Sequence, residues 1–243
     1  MTLDPQPFVR RTGVAALLDG RNVDTDQIIP ARFLKFDRAD GYGRFLFHDL
    51  RFDGDGGERP GFVLNQPGGR GATMLIAGDN FGCGSSREGA VYALQDYGIC
   101  AVIAPSFGDI FFNNCLKNGV VPVRLPEAQV AALRGALAPS SAAAAAAAAA
   151  PPVSAPASAA SPLVRLTVDL AAQTIAAVPA AAGADDPPVA GPFPFTIDAF
   201  WRECLMKGTD EVGLTLALLP EIEAYERRDA AERPWLQPPA TSS

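Results

Sequence analysis

The sequence predicts an α/β fold: a mostly parallel core sheet, flanking helices and an added β-hairpin. Three observations predict it. Apolar runs at 74–77, 99–104 and 120–125 have the length and composition of buried strands. The segments between them read as helices. Ala90, Val91, Ala93, Leu94 and Tyr97 fall on one helical stripe, and Pro105-Ser106 opens a second stretch through Phe111 and Leu116 to a stop at Asn118-Gly119. Strand, helix, strand, helix, strand at this spacing calls for parallel pairing with right-handed crossovers. Further on, 163–170 and 174–178 read as a hairpin that rejoins the fold.

Size and charge narrow the function. A chain of 243 residues buries one good core, and a single domain over 1–243 is expected. The net charge of −7 argues against nucleic acid as a partner. No run of large apolar side chains reaches membrane-spanning length, so no membrane is expected. The start, MTLDPQPFVRRTG, lacks the apolar core of a secretory signal, which points to the cytoplasm. Cys83, Cys100, Cys115 and Cys204 form no CxxC pair, and with the single His48 they give no metal-ligand spacing. The chain is expected to bind no metal or cofactor of its own, and its thiols to be free and mostly buried. Cys83, in a glycine loop, is the exception in position.

In chain order, 8–20 reads as a strand entering a turn, and Asn22 to Pro30 as a polar turn before a strand. Residues 31–52 mix aromatic and charged side chains, and 53–71 is a Gly-, Asp- and Pro-rich surface connection. A helix is expected over 126–138. Residues 139–162 are almost wholly Ala, Ser and Pro, with alanine at every position from 142 to 150. Such a stretch has too little large apolar surface to offset the entropy of ordering it, so it reads as an insertion within one domain. Asp198 should cap a helix carrying Phe200, Trp201, Cys204 and Leu205 and ending at Lys207-Gly208. A short helix at 220–227 and a frayed tail over 228–243 complete the chain.

The chemistry concentrates in Gly82-Cys83-Gly84-Ser85-Ser86-Arg87-Glu88, between the first core strand and its helix. First-turn N–H groups of a helix lack internal partners and carry partial positive charge, so a carboxylate or phosphate is welcome there. Gly82 and Gly84 allow close approach of a ligand, Ser85 and Ser86 offer hydroxyls, and Arg87 offers a planar fork suited to a carboxylate. Ser85 with Glu88 also reads as a capping box, which by itself needs no ligand. Nucleotide motifs fit poorly. There is no GxxxxGK[ST], and Arg87 stands where GxGxxG would need its third glycine.

The string Gly-x-Gly-Ser-Ser-Arg-Glu resembles that of the small subunits of 3-isopropylmalate dehydratase, equivalent to the swivelling domain of aconitase. The resemblance continues at Asn22-Val23-Asp24-Thr25-Asp26-Gln27-Ile28-Ile29-Pro30, at Ala104-Pro105-Ser106-Phe107-Gly108-Asp109-Ile110-Phe111 and at Phe195-Thr196-Ile197-Asp198-Ala199-Phe200. It covers 8–138 and 163–227 and implies a swivelling β/β/α domain. It further implies dehydration and rehydration of 2-isopropylmalate to its 3-isomer, in leucine biosynthesis. The 4Fe-4S cluster of the family sits on a large subunit, the expected partner, as a Lewis acid. On this chain the resemblance implies Ser85 as base and Arg87, Ser86 and Gly84 as substrate-binding residues. It implies Asp24, Thr25 and Asp26 as site-supporting residues and a loop around Phe33 and Leu34 that selects the substrate's side group. One position departs. Gly89 stands where the family commonly has histidine, which leaves another 2-hydroxy diacid, of homoaconitate, methylmalate or citraconate type, open as the substrate. A non-catalytic anion-binding module is the alternative of a different class.

Overall fold

The computed structural model describes residues 6–138, 164–181 and 186–236. The alanine-rich insertion lies outside these, as do the residues after 236. Two four-stranded sheets form the core. The chain enters through β1 (Arg10–Gly13), passes Val14, and continues as β2 (Ala15–Leu17) in the other sheet. The single strand expected over 8–20 is thus two, because each half finds a different partner. β2 lies parallel to β3 (Met74–Ile76), then β4 (Ala101–Ala104) and β5 (Val121–Arg124) follow in order, all parallel. β1 pairs antiparallel with β6 (Val164–Asp169), which pairs with β7 (Thr174–Pro179) and so to β8 (Ala190–Pro194). The hairpin rejoins the fold as expected. β8 is not expected from the sequence, because Pro192 and Pro194 interrupt its apolar pattern.

Alternation along the parallel strands divides the core. Met74, Ile76, Ala101, Ile103, Val121 and Val123 face the antiparallel sheet and meet Leu166, Val168, Ile175 and Ala177. Leu75, Ala77, Val102 and Ala104 face the other way, onto the helices. There lie α1 (Thr25–Ile28), α2 (His48–Arg51), α3 (Glu88–Tyr97) and α4 (Asp109–Lys117). The layers are therefore sheet, sheet, helices. α5 (Glu127–Leu137) packs Val130 and Leu133 into the inter-sheet core instead.

Three helices close the described chain: α6 (Ala199–Lys207), α7 (Glu211–Ala217) and α8 (Leu219–Glu232). Asp198 caps α6 through the Phe200 N–H, and Gly208 ends it in the left-handed region, both as the sequence predicts. α8 runs past Arg228, where the sequence predicts fraying. No helix among the described residues is long and apolar enough to cross a membrane.

Candidate active site

The site lies beyond the carboxyl ends of the parallel strands, where ligands collect in open α/β sheets. Residues after β3 run between two neighbouring segments. The Gly82 N–H donates to Val23 O at 2.7 Å, and the Thr25 N–H donates to Cys83 O at 3.0 Å. On the other side the Phe81 N–H donates to Ser106 O, and the Gly108 N–H to Phe81 O. The glycine loop is thereby strung between the Asn22–Pro30 segment and the start of α4, far apart in sequence.

Two local expectations are corrected here. α3 begins at Glu88, with Arg87 in extended backbone at its N-cap and no side-chain cap. Ser85 is therefore two residues too early to cap. Glu88 instead accepts from Asn118 Nδ2 at 2.9 Å, at the far end of α4. The expected Ser85–Glu88 capping box does not form, and the hydroxyls of Ser85 and Ser86 have no partner among the described residues. Likewise α4 starts at Asp109 rather than at Ser106. Ser106 Oγ donates to Asp79 and accepts from the Asn80 N–H, and Asp79 also pairs with Arg21, so this network holds the base of the loop.

The real capping box is elsewhere. Asp24 Oδ1 accepts from the Gln27 N–H at 2.7 Å, and the Asp24 N–H donates to Gln27 Oε1 at 3.0 Å. Its Asp-x-x-Gln spacing is present in the sequence, yet the segment reads there only as a turn before a strand. The strand does not form, because the capping box turns Thr25–Ile28 into a helix. This box fixes α1 so that Thr25 Oγ1 donates to Ser85 O at 2.8 Å. Asp26 then pairs with the Arg87 guanidinium and accepts from the Ala31 N–H at 2.9 Å. Asp24, Thr25 and Asp26, named from the sequence, thus all abut the glycine loop.

Gly84, Ser85 and Ser86 are exposed, while the Arg87 side chain is only 19% exposed. None of the N–H groups of Gly84 to Arg87 donates to an acceptor among the described residues. With Gly84 at φ +90°, the loop offers free N–H groups, two hydroxyls and one oriented cation to an incoming anion.

Hydrogen bonding to Arg87 first, and to the Ala31 N–H second, holds the Asp26 carboxyl below the usual carboxylate range. A depressed folded-state value means that the pair's contribution is complete above the ordinary carboxylate range. It is lost only as pH falls through the lower folded value. Arg87 is therefore latched at neutral pH. By carbon NMR, the Asp26 carboxyl should titrate lower than in an Arg87→Gln variant; equal midpoints would contradict the latch.

Phe33 and Leu34 part company. The Phe33 ring stacks on Phe45 at 4.2 Å between centroids and serves the aromatic packing there. Leu34 reaches α3, where its Cδ2 lies 2.7 Å from the place a Cβ on Gly89 would occupy. The missing side chain at 89 is what admits Leu34, a contact the sequence could not disclose. His48 hydrogen-bonds Asp49 at 3.1 Å. Cys115 and Cys204 are buried, Cys100 faces Thr73 O, and burial pushes the Cys100 and Cys115 thiols up. No three Cys, His, Asp or Glu side chains among the described residues come together to hold a metal ion.

Layered sheets with a glycine loop and an Arg–Asp pair beyond the strand ends define an α/β domain with a candidate anion site. The family model for the aconitase C-terminal domain matches residues 5–128, and one for the C-terminal domain of the 3-isopropylmalate dehydratase small subunit matches 211–239. A 3-isopropylmalate dehydratase small subunit from Rhodospirillum centenum is 50% identical over 95% of this chain and 98% of its own length. One from Cereibacter sphaeroides is 44% identical over 95% and 100%. The chain belongs to the 3-isopropylmalate dehydratase small-subunit family. The fold matches a solved 3-isopropylmalate dehydratase structure from Methanocaldococcus jannaschii, with TM-score 0.54 and 24% identity, over 89% of this chain and 99% of that one.

Proposed function

We propose that this chain supplies Ser85 as base and Arg87 as carboxylate clamp to a site that the large subunit of 3-isopropylmalate dehydratase completes. Its reaction is the dehydration and rehydration of 2-isopropylmalate in leucine biosynthesis, a cytoplasmic pathway step on this reading. The observation that carries it is the pairing of unpartnered serine hydroxyls and N–H groups with a guanidinium already fixed by Asp26. Serine is a weak base at neutral pH unless its anion is stabilised. The Arg87 charge and the free loop N–H groups are such stabilisers once a partner excludes water. Ser85 then takes the proton from the substrate carbon, and Arg87 holds a carboxylate through the donors that Asp26 leaves free. Ser86 and Gly84 complete the anion cradle, and Asp24 and Thr25 hold the loop in place.

On this reading the Lewis-acid half of the chemistry, a 4Fe-4S cluster in the family, belongs to the large subunit. On the same reading Leu34, which rests on Gly89, meets the substrate's side group, a role supported by its position beside α3, with Phe33 in the aromatic cluster behind it.

The test is a mixing assay. This chain and the anaerobically reconstituted large subunit of the same organism are combined with 2-isopropylmalate, and the unsaturated acid is followed. Activity in the mixture and in neither chain alone is expected. A stable but inactive complex would move the substrate to another 2-hydroxy diacid, and no complex would favour a non-catalytic anion-binding module. In the active mixture, Arg87→Lys should weaken substrate binding by about 1.5–3 kcal/mol, the scale of a charged hydrogen bond. An unchanged Michaelis constant would rule out the clamp.

A further inference from the structure

The C-terminal arm formed by α7, α8 and the turn Pro234–Leu236 has no buried residue of its own among those described. Val212, Leu216, Leu218, Leu219, Tyr225 and Trp235 are between 45% and 75% exposed. Single exposed apolar side chains are ordinary, but six large ones within one short segment are not. Their exposed area is on the order of the 800 Å² that one partner gives to a standard interface. Two ion pairs lie within the arm, Glu223 with Arg227 and Asp229 with Arg233. Among the described residues nothing covers the apolar side chains.

We propose that this arm docks on the large subunit and holds the half-site of this chain against it. The inference rests on the two-subunit reading above. Two observations choose this occupant over a second copy. First, the aconitase C-terminal domain model ends at residue 128, whereas the arm matches a separate model described as the small subunit's own C-terminal domain. The arm thus goes with chains named as small subunits, not with the catalytic domain as such. Second, residues 211–236 carry six acidic and three basic side chains, so a second copy would set like charge against like at this surface. The exposed loop at Ser85 and Arg87 needs a cover of its own, and an arm outside the catalytic layers can supply the grip without distorting that loop.

The test uses the full chain with Leu216→Glu and Tyr225→Glu combined, and separately with Trp235→Ala. Each is titrated against purified large subunit, with thermal melting and sedimentation of the free chain recorded alongside. The double variant should bind at least about 30-fold more weakly, as loss of an interface hot spot does. Its melting should be unchanged, since neither side chain is buried, and Trp235→Ala should weaken binding in the same direction. Wild-type binding with equal binding by the arm variants would overturn the arm's role alone. Variants that change only self-association would assign the surface to a second copy and also overturn it. A wild-type chain that does not bind the large subunit would overturn both this inference and the two-subunit reading.

Discussion

Replacing Ser85 by alanine lowers turnover of the assembled enzyme by roughly 10²- to 10⁴-fold, the usual range for a lost proton-transfer group. Melting of the free chain stays within about 0.5 kcal/mol, as for other surface substitutions. The structure sharpens this expectation. As an N-cap, Ser85 would contribute about 1 kcal/mol of stability, but α3 begins at Glu88 and the Ser85 hydroxyl caps nothing. Among the described residues only its carbonyl is engaged, by Thr25 Oγ1, and alanine keeps that carbonyl. Kinetics and stability therefore separate. A variant that melts lower and keeps its rate would give Ser85 a structural role and remove the base from the mechanism.

Gly82→Ala destabilises the chain by roughly 2–4 kcal/mol, combining a left-handed backbone conformation with overpacking. Gly82 sits at φ +73°, and a Cβ there would overlap the Phe111 ring on α4. That ring is buried and stacks edge-on with Phe81 at 5.4 Å, so it has nowhere to retreat. Gly84→Ala provides the contrast. Its φ of +90° is also left-handed, but the nearest atoms to an added Cβ are Asp24 Cβ at 3.5 Å and Thr25 Oγ1 at 3.8 Å, ordinary contacts. Only the conformational strain remains, about 1–2 kcal/mol. Urea unfolding of the two variants should rank Gly82→Ala as the more damaging, and the opposite order would mean that Phe111 yields easily.

The parallel core was legible because each strand is a short apolar run and each helix an amphipathic stripe, signals carried within a few residues. β8 was not, since its prolines hide it and its place depends on pairing with β7. Helix starts misled for a similar reason. Ser85 and Ser106 are good capping residues by type, but both face tertiary demands: the first lies in an open loop, the second is drawn to Asp79. Asp24, Thr25 and Asp26 could be named from the resemblance, whereas the bonds joining them to Ser85 O and Arg87 span some 60 residues of sequence.

By itself the sequence determined the order strand, glycine loop, helix, the residue types gathered in that loop, and the family the chain belongs to. These depend on local periodicity and on an unusual string of side chains. Tertiary structure alone decided that Arg87 is latched by Asp26, that Leu34 rests on Gly89 and that, among the described residues, the Ser85 hydroxyl is left free and the apolar side chains of the C-terminal arm are uncovered. The physical reason is common to all four. Each depends on which distant groups reach a residue first, and that competition is settled only when the layers pack.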